Sequence, residues 1–463
     1  MELFSDKAGD EGLPGRPRAL AMAAVMTSTT MAVFDGSMVN IALPQIAAAL
    51  KVAAPAAVWV ANGYLLAAAM TLAIFAALAS RFGFRLLFAC GLGLFTAASL
   101  GCTLSSSLTA LTGWRIVQGI GGAATLSIAP AILRSIFPDR LLGRILGLHA
   151  LLIAASTALA PLLGGTLLAT LSWRWLFAVN LPLGVIALAL TLRTIPGKKT
   201  PQREPFDAAG ALLSAIMLGA LIMTASTFAR PDKDDGMLIT ALAYGLLAIV
   251  AGVLFVWRQQ RAPKPLLPLA MFSSMRFSLA ALTSLASFVS QGMTFVALPF
   301  LFQSLYGYSA FESALLFTPW PLGIILAAPH AGRFADRHSP ALISTVGLCV
   351  FAAGLVLLAL LPDHAPMWDI GVRSFVCGLG FGCFQSPNNR EMLANVSREN
   401  SGYASGVLAI MRTFGQCLGA ALVGVILSLS NNALAVHLSL WVAALATVLA
   451  LLFSVSRLRI WRV

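Results

Sequence analysis

Apolar stretches of about 20 residues or more follow one another along almost the whole chain, separated by short polar connections. A helix needs about 20 apolar residues to cross a bilayer. On that measure the pattern predicts fourteen helices, over 19–43, 56–79, 84–106, 108–133, 145–171, 175–195, 208–229, 237–257, 276–301, 311–332, 340–362, 366–388, 403–428 and 433–455. Helices are expected because an open sheet leaves backbone groups unsatisfied in lipid. Of 463 residues, 59% are hydrophobic and only 10% charged, so the chain reads as an all-α polytopic membrane protein.

Charge then orders the loops. The net charge of +13 would suggest nucleic acid in a soluble protein. Here the lysines and arginines gather in alternate loops, among them Arg81, Arg85, Arg134, Arg193, Lys198, Arg258, Arg333, Arg337 and Arg390. The other set holds only Lys51, Arg174, Arg230 and Lys233. This asymmetry predicts that both termini are cytoplasmic and accounts for the charge without nucleic acid. The connections 196–207 and 258–274 are polar and proline-containing. They set off helices 7 and 8 as a pair inserted between two six-helix halves. The expected layout is a tail over 1–18, a bundle over 19–195, linkers and inserted helices over 196–274, a second bundle over 275–456, and a tail over 457–463.

Few ionisable groups lie inside the runs. Asp35 sits well within the first, in Phe34-Asp35-Gly36-Ser37-Met38-Val39-Asn40, at a cost of about 2.5–3.5 kcal/mol on insertion scales. Helical spacing puts Ser28, Met31, Met38 and Ala42 on its face, and Leu43 and Pro44 are expected to close the helix. That face reads as the wall of a polar cavity, or else as a carboxylate satisfied by a neighbouring helix. Helix 4 carries Thr112, Arg115, Gln118, Gly119 and Gly122 on one face, a guanidinium on a close-packing glycine ridge. Arg115 either ties helices together or tunes a nearby carboxylate; it cannot itself carry protons. Arg412 lies between Gly406 and Gly415 as another buried cation on a packing ridge.

Further candidates are weaker. Trp59, Asn62, Gly63 and Tyr64 open helix 2 as either cavity groups or interfacial anchors. Phe288, Gln291 and Phe295 share a face of helix 9, and Phe317 and Trp320 one of helix 10, which read either as packing or as an aromatic wall for a flat cation. Gln385, Ser386, Asn388 and Asn389 are expected to cap or gate the end of helix 12. Glu312 is expected to serve the helix dipole. The six cysteines and five histidines have no metal-ligand spacing and read as non-catalytic.

Two loops repeat one another: Ala79-Ser80-Arg81-Phe82-Gly83-Phe84-Arg85 after helix 2, and Gly332-Arg333-Phe334-Ala335-Asp336-Arg337 after helix 10. Short repeats at corresponding places in two halves mark internally duplicated transporters. On helix 5, Ser156, Ala160 and Gly164 form a small-residue ridge, with Pro161 as a kink and Gly165 after it.

Together these motifs resemble the major facilitator superfamily, specifically its drug:proton antiporters with 14 spanning helices (EmrB/QacA-type). Asp35 with Asn40–Pro44, the loop Ala76–Arg85, Arg115 with Gln118, Gly119 and Gly122, Ser156–Gly165, and Trp173–Gly184 are similar to that family's signatures. The chain departs from them at Ser80, where an acid is usual, at Ala160, where glycine is usual, and in lacking a deep acid on helix 10. The resemblance implies a major facilitator fold of two six-helix bundles plus two inserted helices. It also implies export of lipophilic, cationic drugs or biocides from the bacterial inner membrane by proton antiport and alternating access. Asp35 and Arg115 would be the coupling pair, and Met31, Met38, Asn62, Tyr64, Gln118, Gln291, Phe295, Trp320 and Gln385 the cavity. Ser80, Arg81, Gly83, Arg85, Pro161, Gly164, Gly165, Gly332, Asp336 and Arg337 would serve the conformational change. No cofactor is expected, the proton gradient being the energy source, and no enzyme activity. Partners would be substrate, protons and lipid, with the chain a monomer unless a periplasmic adaptor protein joins it. An exporter of an endogenous metabolite and a transport-incompetent membrane sensor are the alternatives; the retained Asp35 argues against the sensor.

Overall fold

The computed structural model describes residues 12–197, 206–228, 236–263, 265–335, 337–362, 364–396, 401–429 and 432–460. The long apolar runs fold into α1 (Gly15–Leu50), α2 (Ala54–Phe82), α3 (Phe84–Leu104), α4 (Leu108–Ile136), α5 (Asp139–Thr170), α6 (Trp175–Thr194), α7 (Ala208–Thr227), α8 (Gly236–Arg261), α9 (Met275–Leu305), α10 (Ala310–Phe334), α11 (Pro340–Ala359), α12 (Met367–Ala394), α13 (Ser401–Leu429) and α14 (Asn432–Ile460). Counted over the described residues, twelve of these are long and apolar enough to cross a membrane. The other two are α5 and α12, and α12 is diluted by Asp369, Arg373, Arg390 and Glu391. Local sequence explains many of the ends. Ser107 and Ser339 cap α4 and α11, and Ser309 with Glu312 closes a full capping box at the start of α10, the expected role for Glu312.

Two boundaries correct the expectation. Pro44 does not close the first helix, which runs on to Leu50. Proline deletes one hydrogen bond, and the turn beyond it is held by burial of Ile46 and Ala47. At the other terminus Arg457, expected in a polar tail, is fully buried inside α14, because a carboxylate waits for it there.

The helices α1–α6 and α9–α14 form two bundles. Close approach within each is set by glycines. A side chain at Gly121 would meet the backbone of Phe95, and one at Gly380 the backbone of Phe351, in matching places of the two halves. The inserted pair does more than fill the periphery. Leu218 and Ile222 of α7 pack with Leu66 and Ala69 of α2 and with Phe414, Cys417 and Ala421 of α13, covering one seam between the bundles. The outer helix α8 instead exposes Leu238, Ile239, Leu242, Leu246 and Val253, as a lipid-facing helix does.

With fourteen helices running alternately, the start of α1 and the end of α14 face the same end of the molecule. At the opposite end the halves touch directly. Gln303 Nε2 donates to Ile41 O at 2.7 Å, Cys417 Sγ to Asn62 Oδ1 at 2.9 Å, and Gly165 lies against Ala310, Phe311 and Ala314.

Candidate functional site

Asp35 is 1% exposed, and its carboxylate is held entirely by protein. One oxygen is ion-paired with Arg115 Nη1; the other accepts from Gln118 Nε2 at 2.9 Å and Asn180 Nδ2 at 3.1 Å. Arg115 is itself spent, donating through Nε to Val60 O at 2.9 Å and through Nη1 to Gln118 Oε1 at 2.7 Å. Its guanidinium lies 4.4 Å from the centre of the Tyr64 ring and 5.5 Å from that of Phe177. Ser99 Oγ accepts from Gln118 at 2.8 Å. One buried cluster thus joins α1, α2, α3, α4 and α6. Such a charge is tolerable in an apolar interior because it is paired and both carboxylate oxygens accept hydrogen bonds, and removing one member costs about 3–5 kcal/mol.

The expectation that Asp35 fronts a cavity is therefore corrected: its face turns into the first bundle, where α4 and α6 satisfy it. Met31 and Tyr64 are core residues of that bundle, the tyrosine hydroxyl donating to Ala32 O at 3.3 Å. Met38 packs on Gly164. Of the partners, Gln118 and Arg115 stood out in the sequence. Ser99 and Asn180 did not, although Asn180 lies inside the Trp173–Gly184 signature.

The cavity lies on the other side of α1. Ser37, Asn40, Ile41, Thr157, Pro161, Phe295, Phe317 and Pro321 line it, drawn from α1 and α5 of one half and α9 and α10 of the other. Phe295 stands edge to face with Phe317 at 5.7 Å and with Trp320 at 5.2 Å. The aromatic wall is thus present, with Trp320 buried behind it. Two polar atoms beside this space, Asn40 Oδ1 and Trp320 Nε1, are buried without a hydrogen-bond partner among the described residues. Unsatisfied groups of this kind are costly and mark places where a further partner is accommodated. Asn40 and Thr157 lie within the signatures Asn40–Pro44 and Ser156–Gly165, but nothing in the sequence set them apart as cavity residues.

The remaining candidates fall elsewhere. Asn62 and Gln291 bridge helices rather than lining the cavity, Asn62 to Cys417 and Gln291 to Gln416 at 2.9 Å. Gln385 is half-buried on α12. Asn388 does not cap α12; it is fully buried, donating to Ala280 O and Ser284 Oγ and accepting from Arg457. Arg457 also pairs with Glu391 at 2.8 Å, so Asp35 is not the single buried acid of the chain. Gly83 has φ of 91°, which glycine alone adopts freely, and this lets α2 turn directly into α3. Arg85 then reaches Leu192 O, Arg81 and Arg337 are exposed, and Gly332 lies beside Ser386. The side chain of Ser80, all of Asp336, and the loop cations Lys7, Lys198, Lys199, Arg203, Arg230, Lys233, Lys264, Arg398 and Arg462 lie outside the described residues. Among the described residues no His/Cys/Asp/Glu group could hold a metal.

The comparisons agree with this architecture. The model of the Major Facilitator Superfamily matches residues 25–420. An uncharacterized transporter of Escherichia coli K12, YebQ, is 40% identical over 96% of both chains. The tetracenomycin C resistance and export protein of Streptomyces glaucescens is 31% identical over 90% of this chain and 77% of its own. A crystal structure of a POT family transporter superposes with a TM-score of 0.71 over 95% of this chain and 96% of that one; at 14% identity it speaks for the fold alone. Two six-helix bundles meeting at a shared cavity, with motifs along most of the chain, place this protein in the Major Facilitator Superfamily, as a membrane transporter and not an enzyme.

Proposed function

We propose that this protein is a proton-coupled exporter of lipophilic, drug-like molecules, of the branch with 14 spanning helices, working by alternating access in a bacterial inner membrane with both termini cytoplasmic. The observation that carries the reading is the two-sided use of α1. Its inner side bears Asp35, locked to Arg115 and Asn180. Two to six residues on, Ser37, Asn40 and Ile41 line the cavity between the halves. A proton on Asp35 removes the charge that Arg115 and the two amides are arranged to hold, releasing α1 to shift against α4 and α6. The proton thereby competes with Arg115 for the carboxylate, and the cavity senses the outcome through the helix they share. This differs from direct competition between proton and drug, the arrangement expected when Asp35 opens on the cavity. The resistance and export protein from Streptomyces glaucescens supports the substrate class.

The test is transport in proteoliposomes, with fluorescein and a rhodamine methyl ester as probes and an internal pH indicator. A pH gradient without membrane potential should drive dye movement with matching proton flux. Asp35→Asn should lose that coupled flux by tenfold or more while remaining folded. Full pH-driven transport by the Asn variant would refute Asp35 as the coupling group.

A further inference from the structure

Of the arginines within the described spans, Arg115 and Arg457 show what a structural arginine looks like here. Arg115 is fully buried and holds a carboxylate, a glutamine and a backbone carbonyl. Arg457 is fully buried and holds Glu391, Asn388 and Ser454. Arg412 is different. It lies in the span Gly406–Leu429 of α13, is half-buried, and has no hydrogen bond, ion pair or ring partner among the described residues. An uncompensated charge at such depth is costly, and cations inside a membrane protein that are not struts face a water-filled or ligand-filled space.

Its surroundings place it between the halves. Three residues before it, Ala409 packs with Leu72 and Phe75 of α2 and Ala123 of α4. Three residues after it, Gly415 sits against Leu285 and Phe288 of α9. Arg412 thus lies between the side of α13 that meets the first bundle and the side that meets α9. One turn on, Gln416 donates to Gln291, itself one turn before the cavity residue Phe295. No carboxylate among the described residues offsets it. Among the described acidic side chains, Asp35, Asp207, Asp369 and Glu391 are paired with arginines, and Glu312 is engaged in its capping box.

We infer that Arg412 anchors an acidic group of the transported molecule, so that the site takes planar aromatic anions such as carboxylates, phenolates and sulfonates in preference to cations. The guanidinium supplies a fork matched to two acceptor oxygens, and the Phe295–Phe317 wall, about two turns beyond Phe288 along α9, supplies an apolar face for the far end of an extended ring system. This inference rests on the exporter reading and replaces the cation expected from the sequence. That expectation required a free carboxylate in the cavity, and Asp35 is already occupied by Arg115.

Binding of fluorescein, an anionic xanthene, and of a rhodamine methyl ester, a cationic one of the same ring system, is measured by fluorescence anisotropy on the full chain in lipid nanodiscs. Wild type should bind the anion at least tenfold more tightly. Arg412→Gln should weaken the anion tenfold or more and leave the cation within about twofold. Arg412→Lys should fall between, keeping charge without the fork, and it carries the test if the Gln variant does not fold. Equal or tighter binding of the cation by wild type, unchanged anion binding in Arg412→Gln, or binding of neither dye overturns the inference. Arg412-dependent binding of the anion without proton-coupled flux would sustain it and sink the exporter reading. Coupled flux of both dyes regardless of Arg412 would do the reverse.

Discussion

Asn180 Nδ2 donates to Asp35 Oδ1 at 3.1 Å, joining residues 145 positions apart in the sequence. The bond gives Oδ1 its second donor beside Gln118, while Arg115 holds the other oxygen. It also ties α6 to α1, so any event that discharges Asp35 is felt across the first bundle.

Structural and coupling roles of the pair can be separated. Asp35→Asn alone leaves the Arg115 cation buried without its counter-ion, a loss of about 3–5 kcal/mol for a broken buried pair. Asp35→Asn with Arg115→Gln removes both charges and should recover most of that stability. Thermal unfolding in detergent should show a low midpoint for the single variant and one near wild type for the double. The double variant should nonetheless remain uncoupled in proteoliposomes, since no titrating group is left at the site. Recovery of coupling in the double variant would place the proton elsewhere.

The contact at Gly165 should bias the transport cycle. A Cβ there would overlap Ala314 Cβ and lie 2.8 Å from Ala310 O, closer than real contacts allow. Gly165→Leu should therefore prevent the halves from meeting at the end opposite the termini. Distances between spin labels across that end should lengthen, and transport should fall at least tenfold. Gly113→Ala serves as the control: a Cβ there meets nothing within 4 Å. In a helix interior it should be neutral or stabilise by up to about 1 kcal/mol.

A third expectation concerns pH and the inserted pair. Asp207 caps α7, accepting from Gly210 N at 3.1 Å, Arg258 Nε at 2.8 Å and Gln259 Nε2 at 2.7 Å. Burial alone would raise its carboxyl, but these hydrogen bonds and the nearby guanidinium outweigh that and hold it below its ordinary value. A carboxyl depressed in the folded state stabilises fully above its unfolded value, near 3.8, and loses that contribution as pH falls through the folded value. Asp207→Asn should thus loosen the α7–α8 pair at neutral pH, seen as faster hydrogen exchange at the start of α7. The difference from wild type should close under strongly acidic conditions. A difference that persists unchanged at low pH would mean that the charge is not what holds the pair.

The sequence by itself determined the helices, the two halves and the inserted pair, because apolar runs of about 20 residues match a bilayer only as helices, and an open sheet would leave backbone groups unsatisfied. It also singled out Asp35, Arg115 and Gln118, since polar groups inside such runs are rare enough to stand out one by one. What it could not supply was direction. The period of a helix shows which residues share a face, but not what that face meets. The face bearing Asp35 turned out to meet α4 and α6, while Ser37 and Asn40 met the other half of the molecule. The same limit hid the difference between Arg115 and Arg412, two cations on glycine-rich ridges, and the burial of Arg457, read as part of a polar tail. Only the packing of distant helices gave the first and last their carboxylates and left Arg412 without one among the described residues.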